Sequence, residues 1–77
     1  MRDVLTLFEV EAVLYHHGDR NVRSTIEFQV NFCGYDEEHN LWLPWHELRD
    51  NRHLHAYLIQ SRMRSLIPPK LRENYRV

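Results

Sequence analysis

The chain is poor in the residues from which compact catalytic and redox centres are built. Its 77 residues include one cysteine, Cys33, which excludes an internal disulfide and fits a reducing compartment. Two glycines are too few for a phosphate-cradling loop, and no serine occupies a glycine elbow. Six histidines are present, but their spacing gives no metal set. His16 and His17 share a polar loop, His53 and His55 cannot share a helix face, and Cys33 near His39 has no second cysteine to join. Glu37-Glu38 is an adjacent carboxylate pair at a turn, and a solvated turn is its plain reading. No apolar run approaches the length of a membrane span. Acids interrupt the N-terminal stretch, which therefore lacks a signal-peptide core. No repeat or low-complexity segment is present. These absences lead to the expectation of a non-enzymatic domain with no cofactor, no metal, no small-molecule substrate and no membrane partner.

What remains is a small globule. A chain this short buries only about 60% of its unfolded surface, so its core must be dense in aromatics, and 12% Phe, Trp and Tyr supplies that. Hydrophobic content of 43% with 27% charge describes a folded chain, not a disordered one. The net charge of −1 conceals a division: residues 1–48 carry a balance of −6, and residues 49–77 a balance of +5. The basic half reads either as a solvated tail or as an arm near an anionic polymer.

In chain order, residues 1–7 are a lead-in. Residues 8–15 alternate, with Phe8, Val10, Ala12 and Leu14 on one face, as in a half-buried strand. Gly18-Asp19 marks a turn. Residues 24–32 give the cleanest alternation: Ile26, Phe28, Val30 and Phe32 against Thr25, Glu27, Gln29 and Asn31. The two strands form an antiparallel hairpin. Gly34 lets the backbone bend, Asp36 to Asn40 form a polar turn, and residues 41–45 supply a third strand. The period then changes. Asp50 or Asn51 caps a helix whose stripe is Leu54, Leu58, Ile59, Met63 and Leu66, with Tyr57 at its margin. Arg52, His55, Gln60, Arg62 and Arg64 are expected to face water, and Pro68-Pro69 to end the helix. The expected fold is α+β: a three-stranded antiparallel sheet, as a partly open SH3-like barrel, with one C-terminal helix packed across it. The expected organisation is a lead-in at 1–7, a domain at 8–66 and a basic tail at 67–77.

Phe8, Phe32 and Tyr35 fall at strand ends beside turns. Their plain reading is core, which alternation supports for Phe8 and Phe32. The alternative is a cage of π faces around a quaternary ammonium, the functional use of cation–π attraction.

The order Phe8-x-Val10-Glu11-x-x-Leu14, then Glu27-Phe28-Gln29-Val30-Asn31-Phe32-Cys33-Gly34-Tyr35-Asp36, then Asn40-Leu41-Trp42-Leu43-Pro44 and Leu48, resembles a chromodomain over about residues 8–64. That family runs aromatic-x-Val-Glu, then Tyr-Leu-Val-Lys-Trp-Lys-Gly-Tyr, then Asn-Thr-Trp-Glu-Pro, then a helix. The resemblance implies a methyl-lysine cage at Phe8, Phe32 and Tyr35, with Phe32 where the family has tryptophan. It implies a structural, buried Trp42 and peptide contacts at Val10, His39, Trp45 and Glu47. His39 lies where some members place a carboxylate near the methylated amine, and Glu38 is the neighbouring acid that would serve if turned inward. Asn-x-Trp-Leu-Pro-Trp is most similar to chromodomains at the C-terminus of gypsy-type retrotransposon integrases. The implied function is a nuclear, chromatin-targeting reader that binds a methylated histone tail. The alternative is a structural or nucleic-acid-contacting module that uses Arg52, Arg62, Arg64, Lys70 and Arg72.

Overall fold

The computed structural model describes residues 8–72. The expected lead-in and the end of the expected tail, residues 73–77, lie outside these. The fold is α+β: a three-stranded antiparallel sheet with an open edge, and helices closing one face. Strands β1 (Val10–His17), β2 (Glu27–Phe32) and β3 (Leu41–Pro44) lie in the order β1-β2-β3. Three short helices come after them, α1 (Trp45–Leu48), α2 (Arg52–Gln60) and α3 (Pro69–Arg72), in place of the single expected helix.

β2 is the central strand and obeys its alternation. Ile26, Phe28 and Val30 are 0% exposed and Phe32 is 3% exposed. Each such side chain contributes about 1.5–3 kcal/mol by leaving water. Leu48, Leu54, Leu58, Met63, Leu66 and Ile67 complete the cluster from the helical side.

β1 departs from simple alternation. Two bulges, between Val10 and Ala12 and between Val13 and Tyr15, each shift the register. A single inserted residue moves the next side chains along the strand to the opposite face. Val10 is therefore buried and Val13 packs on the core, while Leu14, expected inside, is exposed. His16 pairs with Phe28 in register and its ring approaches Phe28 and Tyr57. Its Nδ1 lies 2.7 Å from the Tyr57 hydroxyl, which ties β1 to α2.

α2 begins as its cap residue dictates: the Asn51 side chain accepts from the His53 N–H at 2.8 Å. Its end is a correction. The helix stops at Gln60, well before Pro68. Arg62 takes the left-handed conformation, φ 60°, its N–H donates to Ile59 O, and the Met63 N–H donates to Leu58 O at 2.7 Å. This is a Schellman closure with arginine in the place glycine usually fills. Met63 is buried beyond it. Pro69 then starts α3, where its missing N–H costs nothing. Ile67 is fully buried and Leu71 packs on the core, so residues 67–72, expected in the tail, are part of the folded unit.

Two further side chains are placed against expectation. His55 is 2% exposed, not solvated, and its Nε2 donates to the Arg49 carbonyl at 2.6 Å. Trp42 is 43% exposed, not core. It pairs with Gln29, which points to the outer face, and its ring meets His17 at 4.5 Å. The anchored indole is Trp45: it is half-buried and its Nε1–H donates to the Leu66 carbonyl at 2.8 Å.

Phe28→Ala should lose about 3–5 kcal/mol, most of a small domain's margin. Trp42→Ala should lose about 1 kcal/mol or less, the size of one cross-strand contact. Denaturant titration followed by Trp45 fluorescence checks both, and equal losses at the two positions would contradict this placement.

Candidate functional site

The end of β2 assembles an aromatic cavity. Phe32 closes the strand, and the Tyr35 N–H donates back to the Phe32 carbonyl at 3.1 Å. Gly34 occupies the third position of that turn at φ 81°, a value that a type II turn requires and glycine meets without strain. Tyr35 is thereby folded back beside Phe32. The Cys33 N–H donates to the Glu9 carbonyl at 2.8 Å, which holds the segment carrying Phe8 alongside. Across the turn, Asn31 Nδ2 donates to Asn40 Oδ1 at 2.8 Å and closes the β2–β3 connection at its base.

The three rings meet. Phe8 lies 5.6 Å from Phe32 and 5.4 Å from Tyr35, the latter edge to face at 74°. They line a cavity of about 380 Å³ with Glu38, His39 and Leu41. Phe32 is nearly buried and forms the floor, Phe8 is half-buried, and Tyr35 is 43% exposed at the lip. A cation placed here lies within the ~6 Å over which ring quadrupoles act. Phe32 is core, as alternation predicts, and its ring also lines the cavity.

His39 is held from the side away from the cavity. Its Nδ1 lies 2.9 Å from Asp36 Oδ1, and its ring is 5.1 Å from Tyr35. Asp36 also caps the turn at Glu37–His39 by accepting from the Glu38 N–H at 3.2 Å. The hydrogen bond from His39 foremost, then that from the Glu38 N–H, holds the Asp36 carboxyl below the usual carboxylate range. An ionised Asp36 can only accept, so His39 Nδ1 is the donor in this contact. Leu41 is not among the expected site residues, and Glu38 is expected only as an alternative acid; both line the cavity.

The remaining expected contacts are scattered. Val10 is 3% exposed, so its side chain serves the core and is closed to a peptide. Trp45 and Glu47 belong to α1, at the opposite end of β3. The Trp45 N–H donates to Ile26 O, which places it about 20 Å along β2 from Phe32. The basic residues do not act as one set. Arg72 Nε donates to Ile67 O at 2.8 Å and its Nη2 to Ser65 O at 2.8 Å, and Arg64 Nη2 donates to Arg72 O at 3.4 Å. Arg52, Arg62 and Lys70 are exposed. Cys33 is exposed; desolvation first, then the Glu9 and Glu11 carboxylates, raise its thiol above the ordinary value, the reverse of an activated nucleophile. Among the described residues, no His, Cys, Asp and Glu group is placed to hold a metal ion, and no helix is long and apolar enough to cross a membrane. Compared with protein-family models, curated proteins and solved structures, the chain matches none.

Asp36 gives the site a pH signature. A carboxyl whose folded pKa is depressed stabilises above its unfolded pKa, and loses that contribution as pH falls through the folded one. Asp36→Asn should therefore loosen the turn at neutral pH, seen as faster amide exchange at Glu38. The difference from the parent should narrow through the carboxylate range and vanish below it. A difference that persists at low pH would assign the effect to the cap alone.

Proposed function

We propose that this domain is a non-enzymatic reader that holds a methylated lysine of an extended, histone-tail-like peptide in the cavity formed by Phe8, Phe32 and Tyr35. The observation that carries the reading is the convergence of three aromatic rings, from two separate chain segments, around a cavity of about 380 Å³ with Glu38 among its lining residues. Apolar π walls with one nearby anion match a large, weakly hydrated cation. The sequence resemblance to chromodomains points the same way. In keeping with it, the module would act in the nucleus and direct a retroelement integrase to chromatin.

The peptide binds by strand addition along β3. The sheet has two outer strands. β1 carries two bulges, which obstruct pairing. β3 is unbulged, has no strand beyond it among the described residues, and begins at Leu41 in the cavity wall. A peptide with its methylated lysine in the cage therefore runs along Leu41–Pro44 toward Trp45, and gains main-chain hydrogen bonds on the way.

Tyr35→Ala should cost about tenfold or more in affinity for a trimethyl-lysine peptide, since each wall is worth about 0.5–2 kcal/mol. Far-UV circular dichroism should be unchanged, because the side chain lies outside the core cluster. A folded Tyr35→Ala that binds like the parent would sink the cage. Binding that instead falls steeply with salt, and is equal for methylated and unmethylated peptides, would favour the basic-segment reading.

Glu38 sets a finer expectation. Dimethyl-lysine keeps an N–H that a carboxylate or the His39 Nε2 can accept, whereas trimethyl-lysine keeps none. Glu38→Gln should weaken both forms through the lost charge, and dimethyl more than trimethyl. Peptide titrations at matched salt check this, and an unchanged dimethyl-to-trimethyl ratio would place Glu38 outside the ligand's reach.

A further inference from the structure

A second cavity, of about 530 Å³, opens at the other end of β3, lined by Arg23, Ser24, Pro44, Trp45 and His46. The expected contacts included Trp45 but no anion-binding role for this end of the sheet. Its chemistry is unlike that of the cage. No carboxylate lines it, and its one fixed charge is the Arg23 guanidinium.

That guanidinium is held in place. It lies over the Trp45 ring, 4.5 Å from the centroid. Trp45 is itself pinned by its hydrogen bond to Leu66 O and by its N–H to Ile26 O. The loop below is also closed. Thr25 Oγ1 accepts from the Asp19 N–H at 3.0 Å and donates to Val22 O at 2.7 Å, fixing the Arg23–Thr25 turn. Among the described residues, Arg23 makes no ion pair. A planar fork of donors stacked on an anchored indole, with the Ser24 hydroxyl beside it and the His46 imidazole 3.8 Å from the Glu47 carboxylate, is a receptor for a carboxylate or phosphate group.

The two cavities share one strand. Leu41 lines the first, and Pro44 and Trp45 line the second. From Leu41 to Trp45 is four strand steps, about 13 Å. A peptide paired with β3 advances at the same rate, and only residues an even number apart face the same side. Two steps fall short; four match the span from Leu41 to Trp45, and six match the span of about 20 Å from the cage floor at Phe32. We infer that the Arg23 cavity takes an anionic side chain of the bound peptide, either an acidic residue or a phosphorylated hydroxyl, four or six residues from the methylated lysine. This rests on the cage reading: the cage supplies the register, and the second cavity adds a sequence requirement to what would otherwise be recognition of methylation alone.

The test uses alanine-based peptides with one trimethyl-lysine, and one glutamate or phosphoserine placed two, three, four, five or six residues away on either side. Fluorescence anisotropy measures each against the parent, Arg23→Gln, Arg23→Lys and Tyr35→Ala. The expected result is a gain of about tenfold at a spacing of four or six, on one side only, the size of one charge-assisted hydrogen-bonded contact at a partly open site. Phosphoserine and glutamate arms separate the two sources of the anion. Arg23→Gln should abolish the gain and leave the neutral methylated peptide unaffected. Arg23→Lys should retain only part of it. Tyr35→Ala should weaken every peptide. Arg23 is exposed, so these variants keep the core. A gain equal at all spacings, or one that survives Arg23→Gln, would overturn the inference and leave the cage intact. Arg23→Gln weakening only a DNA duplex would overturn it in favour of a polynucleotide phosphate. Equal binding of methylated and unmethylated neutral peptides would overturn the cage reading and this inference with it.

Discussion

The inner face of β2 is the constraint on which everything else depends. Ile26, Phe28, Val30 and Phe32 are fixed in one orientation because any slip of a single residue would put Glu27, Gln29 and Asn31 into the core. The two ends of that strand are consequently fixed too. One end delivers the Phe32 ring to the turn where Phe8 and Tyr35 meet it. The other delivers the Ile26 carbonyl to Trp45, and through Trp45 positions Arg23. Both cavities are extensions of a hydrophobic register. Their spacing is set by strand rise and not by the loops that line them.

Polar bonds refine what this packing places. His39 would be a freely rotating loop side chain without Asp36, and the Asp36 carboxylate would be an ordinary surface group without the turn it caps. Together they fix which ring nitrogen donates to that carboxylate. At the far end, a single indole N–H to the Leu66 carbonyl joins the C-terminal segment to the sheet and keeps a cation–π pair from swinging into solvent. Neither arrangement adds much stability, since both are partly exposed. What they supply is orientation.

How much of this is legible in the sequence depends on whether a residue type announces its backbone. β2 is legible because six residues alternate without exception. The meeting of Phe8, Phe32 and Tyr35 is legible because Gly34 can make the turn that folds Tyr35 back. The bulges of β1 are not, since nothing about Glu11 or Leu14 marks an extra residue in a ladder. The end of α2 is not, because the left-handed position is filled by Arg62 in place of the glycine that usually signals it, while Pro68-Pro69 offers a false stop. His55 reads as solvated from its polarity, but the Arg49 carbonyl gives it a buried partner. Trp42 and Trp45 exchange roles: the motif position suggests burial for the first, and strand register decides for the second. Arg23 gives no sign at all, because its partner is a ring distant in the chain.

Pro44 closes β3 after four residues, and that brevity bears on how the domain behaves in a crowded solution. Proline has no N–H to extend a ladder. Two copies of the chain meeting through β3 would share a ribbon too short to hold against the entropy of association, and an unmodified copy brings no quaternary ammonium to the other's cage. On the proposed reading, a peptide bearing the right cation would find the same short ribbon supplemented by the aromatic cavity at its end. The strand thus resists fibril-like self-pairing by its length, without the bulges that guard β1. It stays receptive only to partners that bring something more than backbone.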